Sequence, residues 1–283
     1  MRTKILVISL AAIVGVALAA VTAATQQPEQ PPVAISEVAD GLYIVTGPGG
    51  NVGVRVTSEG VVVIDDKFED NYDDIVASIA SVTDQPIRYV FNTHHHGDHT
   101  GSNVQFAALA PILAHENVRT NILRNDQPGA PSIVYTDQTA VYLGDATVEA
   151  LYMGRGHTDG DSVIYFPDLR VVHMGDLSFG GGTPYIDFGN GGSALELMRT
   201  YDNILELDFD TAIPGHGNMM TKADVAVFRD AFQELLDTGR QLISEGVSED
   251  NLAARLAQVY PELSYETGFP AQSIPGIYAE LSE

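Results

Sequence analysis

Cysteine is absent from the 283 residues. No disulfide can form, no thiolate can ligate a metal, and no lipid can be attached at a thiol. Basic residues are scarce as well: 14 Lys and Arg face 38 Asp and Glu, for a formal net charge of −24. Such a field argues against nucleic acid as a partner, because phosphates would meet their own sign. The acidity reads most simply as a solvated surface. Charged residues amount to only 18% against 45% hydrophobic, the balance of an ordered globular chain with a sizeable core.

What is there begins with Met1-Arg2-Thr3-Lys4, then apolar residues from Ile5 to Ala20, then small residues through Ala24. A basic start, a hydrophobic centre and an Ala-rich tail form the pattern of a secretory signal peptide. The apolar run approaches the roughly 20 residues that would span a bilayer, but its Ala- and Gly-rich second half favours cleavage. The expected organisation is a signal peptide over 1–24, a Pro/Gln-rich linker over 25–33 and one folded domain over 34–283. The mature protein is expected in the periplasm or secreted, without stable membrane association.

Within that domain, Leu42 to Thr46, Val52 to Val56 and Val61 to Ile64 read as strands separated by Gly-rich turns such as Gly47 to Asn51. Asn71 to Ser81 has a helical apolar face, and Ile87 to Phe91 returns to strand. A brief strand is expected over Pro111 to Ala114. A β-rich block follows over Thr139 to Leu143, Thr147 to Met153, Ser162 to Phe166 and Leu169 to Met174, and Thr211 to Ile213 is a further short strand. Ser193, Thr221 and Ser248 are placed to cap helices ending near Leu205, Gly246 and Tyr260. Strands alternating with helices predict a layered α/β architecture.

The chemistry concentrates after the strand ending at Phe91. His94, His95, His96, Asp98 and His99 fall within six positions and hold half of the chain's eight histidines. Imidazole and carboxylate are the donors that ions such as zinc prefer. In an extended segment His94 and His96 project to the same side, while His95 points away as a spacer. Gly97 permits a turn that redirects Asp98 and His99 toward a second point. His157, Asp176 and His216 each follow a predicted strand beside a glycine, where α/β proteins place their sites.

This spaced set resembles the metallo-β-lactamase superfamily, whose signature is His-x-His-x-Asp-His followed by a lone His, an Asp and a lone His. The resemblance implies an αβ/βα four-layer sandwich, with two sheets face to face and helices outside. It implies two zinc ions per chain, one held by His94, His96 and His157, the other by Asp98, His99 and His216, with Asp176 bridging. It also implies that Asp65, after Val61 to Ile64, supports the ligands from behind. His115 and His173 match no ligand position. Two ions about 3.5–4 Å apart can share a water and present hydroxide as the nucleophile, with Asp98 orienting it. The substrate would be a small molecule.

The subgroup signals are mixed. Gly189-Asn190-Gly191-Gly192 and Pro214-Gly215-His216-Gly217 resemble the true zinc β-lactamases, in which a residue matching Asn190 helps to bind the lactam; Asn190 is therefore expected, with Asp98, to be catalytic. The cysteine-containing lactamases, however, carry cysteine where this chain has Asp176, and a substrate-gripping lysine where it has Phe179. The pair His99 and Asp176 is instead similar to thioesterases, lactonases and phosphodiesterases of the superfamily. The expected activity is exported di-zinc β-lactam hydrolysis, with thioester, lactone or phosphodiester hydrolysis as the alternative, and a non-catalytic zinc-binding partner protein as a reading of another class. Residues 179–188 are expected to form a flap, with Tyr185 and Phe188 lining a substrate wall or packing. Gly47 to Asn51 would form a facing rim.

Overall fold

A computed structural model describes residues 32–283 of the chain. The expected signal peptide, and the linker up to residue 31, lie outside the described residues. The first sheet has seven strands in sequence order: β1 (Ala34–Ala39), β2 (Leu42–Thr46), β3 (Val52–Thr57), β4 (Gly60–Ile64), β5 (Ile87–Phe91), β6 (Ile112–His115) and β7 (Ile133–Tyr135). Pairing is antiparallel from β1 to β4 and parallel from β4 to β7. The second sheet runs β13-β12-β11-β10-β9-β8, built from β8 (Gln138–Leu143), β9 (Ala146–Leu151), β10 (Val163–Phe166), β11 (Val171–Gly175), β12 (Thr211–Pro214) and β13 (Met220–Thr221). Only β11 and β12 pair in parallel there.

The side-chain alternation of β4 shows how the layers form. Val62 and Ile64 point one way, into a core shared with Ile164, Phe166 and Ile213 of the second sheet. Val61 and Val63 point the other way, onto Ile75 and Ile79 of α1 (Tyr72–Ala80). A strand covered on both faces needs apolar residues at every position, which is why Val61 to Ile64 is an unbroken hydrophobic run. The short helices α2 (Gly97–Thr100) and α3 (Asn103–Phe106) follow β5, and α4 (Glu116–Arg124) packs Val118 and Ile122 on Ala114. The outer face of the second sheet is covered by α5 (Ala194–Leu205), α6 (Lys222–Ser244), α7 (Glu249–Ala257) and α9 (Ile274–Ser282), around Tyr201, Phe232 and Leu256. The helix α8 (Gly268–Ala271) precedes the last of these. Helices, sheet, sheet and helices make the expected four-layer sandwich.

Ser193 and Thr221 cap α5 and α6 with side-chain bonds, the latter through a full capping box with Asp224; Ser248 stands at the N-cap of α7 without such a bond. Three strands and the C-terminal helix were not apparent from the sequence. The edge strand β1 has no buried residue and exposes three of its six, β7 and β13 span three and two residues, and α9 carries Pro275 and Gly276 in its first turn. No helix among the described residues is long and apolar enough to cross a membrane.

Candidate metal centre

The centre sits where strand ends of both sheets meet. After β5 the chain bends at Thr93 and His94, is extended again at His96, whose ψ is 147°, then enters α2 at Gly97. The backbone amides of His99 and Thr100 both donate to His96 O, at 3.0 and 3.1 Å. That change from strand to helical turn sends His94 and His96 to one point and Asp98 and His99 to another. His157 comes from the loop after β9, Asp176 follows β11, and His216 follows β12.

His94, His96, His157 and Asp176 form one group whose donor atoms all lie within 4.8 Å of one another. In each histidine one nitrogen is fixed from behind and the other turns inward. His94 Nδ1 lies 3.1 Å from Thr93 Oγ1, His157 Nδ1 donates to Tyr185 O at 2.6 Å, and His96 Nε2 lies 2.9 Å from Asp187 Oδ2. The inward His96 Nδ1 and His157 Nε2 stand 2.8 Å apart, and His94 Nε2 is buried without a hydrogen-bond partner. Convergent nitrogens with their opposite edges anchored form the arrangement that binds a metal ion. Asp98, His99 and His216 form a second such group. Here His99 Nδ1 is held by Asp65 Oδ2 at 2.8 Å, which turns Nε2 to within 3.4 Å of His216 Nε2.

Asp176 stands between the groups. Its Oδ1 is 3.0 Å from His99 Nε2, and its Oδ2 is 3.4, 3.7 and 3.9 Å from the Nε2 atoms of His216, His157 and His94. The electrostatics differ accordingly. Burial pushes the His94 imidazole far down and that of His157 to about 4, so both stay neutral with a lone pair to donate. Burial also opposes charge on His99 and His216, but Asp176 and its neighbouring carboxylates outweigh it; His99 is raised well above its ordinary value and His216 to about 9. Burial would raise Asp98 and Asp176, and the charges of His99 and His216 overcome it in both. Two ionised carboxylates in a mostly buried polar pocket require positive charge between them. Divalent ions would supply that charge in place of the imidazolium protons and use the inward nitrogens as well, so the donor set would fit a two-ion centre.

Backbone approach is as tight as the spacing suggested. A Cβ on Gly50 would collide with the His99 ring, and one on Gly215 with Asp176 Oδ1. Asp65 is fully buried with φ 61°, and accepts from Thr93 N at 2.7 Å and Thr93 Oγ1 at 2.8 Å besides holding His99. A non-glycine residue in that region costs about 1 kcal/mol, here placed where it orients a candidate ligand. Lys67, with φ 58°, is buried and donates from Nζ to Gly50 O at 2.6 Å, tying the Gly47 to Asn51 rim to the centre.

Asp187 is the residue that sequence reasoning missed. Its carboxylate anchors His96, and its backbone N donates to His157 O at 2.8 Å, so it touches two candidate ligands of one group. Asn190 was expected to face substrate, and the structure gives its side chain other partners. Nδ2 donates to Asp187 Oδ2 at 2.6 Å, while Oδ1 accepts from Arg124 and Asn125 at 2.5 and 3.2 Å. It therefore supports Asp187, because the αL residue Gly191 closes the turn back toward α4. His95 is buried beside His96 and belongs to neither group that pairs with Asp176 or Asp98, forming instead a set with His96 and Asp187. Phe179 stacks on His216, with centroids 5.6 Å apart, and Tyr185 on His96, at 6.1 Å. Phe188 packs onto Gly276 and the outer helical core. His115 stacks on Tyr152, and His173 is buried with Nε2 3.1 Å from Asn51 O.

With these sheets and this donor arrangement, the molecule has the build of an αβ/βα metallohydrolase. The chain belongs to the metallo-beta-lactamase superfamily, whose family pattern it matches over residues 45–216. It is 29% identical over 175 residues to the 2,4-dinitroanisole O-demethylase subunit alpha of Nocardioides sp., a match covering 60% of this chain and 52% of that protein. It is 25% identical over 169 residues to the metallo-beta-lactamase type 2 of Elizabethkingia meningoseptica, covering 56% of this chain and 68% of that one. The fold superimposes on a metallo-beta-lactamase from Pontibacter korlensis with a TM-score of 0.65 at 18% identity, covering 71% of this chain and 99% of the other.

Proposed function

We propose that the protein is an exported hydrolase that holds two zinc ions and cleaves an ester-like bond of a small molecule. The observation that carries this reading is the pair of adjoining donor groups joined at Asp176, with His94, His96, His99 and His157 each fixed at the outer nitrogen. Zinc bound there supplies Lewis acidity and activation of water near neutral pH. The chain's own residues do the rest. Asp98, 23% exposed against 5% for Asp176, is the carboxylate placed to orient a water and take up its proton. His94 and His157, kept neutral by burial, are donors that need not first lose a proton. Export is supported by the pattern of residues 1–24 and is tested by sequencing the mature N-terminus.

β-Lactam hydrolysis is the second reading, favoured by the similarity to the Elizabethkingia enzyme over 56% of the chain. Two placements weigh against it as the main activity. Asn190 is occupied with Asp187 and Arg124, and the aromatic Phe179 stands where a lysine would grip the substrate carboxylate. A panel of thioester, lactone, phosphodiester and chromogenic cephalosporin on zinc-loaded protein separates the readings. Thioester or lactone turnover abolished by chelator and by Asp98→Ala is expected. Cephalosporin turnover above both would restore the lactamase reading. Donor-retaining protein without hydrolysis would make it a binding module.

A further inference from the structure

The surroundings of the two donor groups are aromatic to an extent that the metal chemistry does not require. The Phe179 ring stacks on His216 at an interplanar angle of 10° and meets His157 edge-on at 5.9 Å, so it touches a candidate ligand of each group. Tyr185 lies at 22° to His96 and edge-on to His157 at 5.5 Å. Beyond it, 6.0 Å from the Tyr185 ring, Phe269 is 71% exposed. Beside the rim, Phe68 is 46% exposed, and a Cβ on Gly49 would meet both its ring and Asp98 O. Large aromatic rings left in water beside a site, with others stacked on its ligands, form a surface that an aromatic or apolar substrate would cover.

The cations of the segments that build the site are committed elsewhere. Lys67 is buried on Gly50 O, Arg124 bonds Asn190, and Arg155 turns to Gly191 O at 3.4 Å. The chain as a whole carries −24, which repels anions on approach. The geometry points to an uncharged substrate with an aryl group next to the scissile bond, seated between Phe68 of the rim and Phe179, Tyr185 and Phe269 of the facing segments. This rests on the proposed hydrolase reading and narrows it. Aryl esters and aryl lactones fit the surface; carboxylate-bearing lactams and phosphodiesters would find no side-chain cation beside the ions to hold their charge. An aryl leaving group also departs as a stabilised phenolate, so the bond breaks without a strong general acid, and the proton released by the attacking water passes to Asp98.

The test uses zinc-loaded full-length protein with four probes: dihydrocoumarin as a neutral aryl lactone, γ-butyrolactone as its aliphatic counterpart, a chromogenic cephalosporin, and bis-p-nitrophenyl phosphate. Dihydrocoumarin should give the highest kcat/KM. Phe68→Ser and Phe269→Ser, both at exposed positions, should each lower the ratio of aryl to aliphatic lactone turnover by roughly three- to tenfold, the worth of an aromatic contact, with the zinc count unchanged. Turnover led by the aliphatic lactone or either anionic probe, or a ratio unmoved in both variants, overturns this inference and leaves the hydrolase reading standing. No zinc-dependent turnover of any probe overturns both.

Discussion

Asp187→Ala isolates the support of a single ligand. The substitution removes the carboxylate 2.9 Å from His96 Nε2 but leaves the backbone bonds of residue 187 to His157 O and Gly192 N in place. The side-chain bonds from Asn190 N and Nδ2 are lost as well, but the backbone bonds should keep the loop on its path while His96 loses the partner that fixes its ring and tautomer. Removing such an outer partner weakens metal binding by about ten- to hundredfold. The His96 side chain is 22% exposed, so water can replace part of the lost bond, and the lower half of the range applies. That is roughly ten- to thirtyfold, or ~1.4–2.0 kcal/mol. The assay is competition for zinc against a chromophoric chelator, resolving two binding steps per chain. The step assigned to His94, His96 and His157 should weaken by that factor, and the step assigned to Asp98, His99 and His216 should stay within about twofold. Equal weakening of both steps, or none of either, would refute the assignment of Asp187 to one group.

Further outcomes follow from the same geometry. Asn190→Ala should weaken the same step by less than Asp187→Ala, because, of its side-chain bonds, only the 2.6 Å one reaches the carboxylate that holds His96; a loss confined to cephalosporin KM would return Asn190 to substrate binding. Gly50→Ala drives a methyl into the His99 ring and should lower occupancy of the second group more than the first, read by the same chelator titration. Phe91→Ala, fully buried between the sheets, should cost about 3–5 kcal/mol in denaturant unfolding. In metal-free protein, His216 is raised from 6.5 to about 9 by its carboxylate neighbours against the opposing effect of burial. Its stabilising contribution is complete below about pH 6.5 and is lost as pH rises through 9. Thermal stability should fall over that window, and His216→Asn should flatten the fall; an identical slope in the variant would contradict it.

How much of this could be read in the sequence depended on how local the cause was. The six residues from His94 to His99 announce a centre because one strand end and one turn place them all, whereas Asp65 came only from the family resemblance carried by Val61 to Asp65. Asp187 could not be found in this way: it lies 91 residues from the histidine it anchors, in a segment without periodicity, and nothing near it specifies the contact. The contacts of Asn190 were hidden for the same reason, since its partners Arg124 and Asn125 come from a distant helix. In the fold, β4 and β5 declared themselves through burial on one or both faces. The edge strand β1 has no buried residue, and so lacks the hydrophobic alternation that would mark it. The last helix, with Pro275 and Gly276 in its first turn, reads as a loop until Phe188 is seen to need Gly276 beneath it.

The proposed centre has His94, His96 and His157 holding one ion, Asp98, His99 and His216 a second, and Asp176 touching both. Its decisive test is elemental analysis of zinc-reconstituted protein at neutral pH. Two zinc ions per chain are expected, with Asp176→Ala losing the second more than the first. Fewer than one ion per chain in the unmodified protein would rule the two-ion centre out.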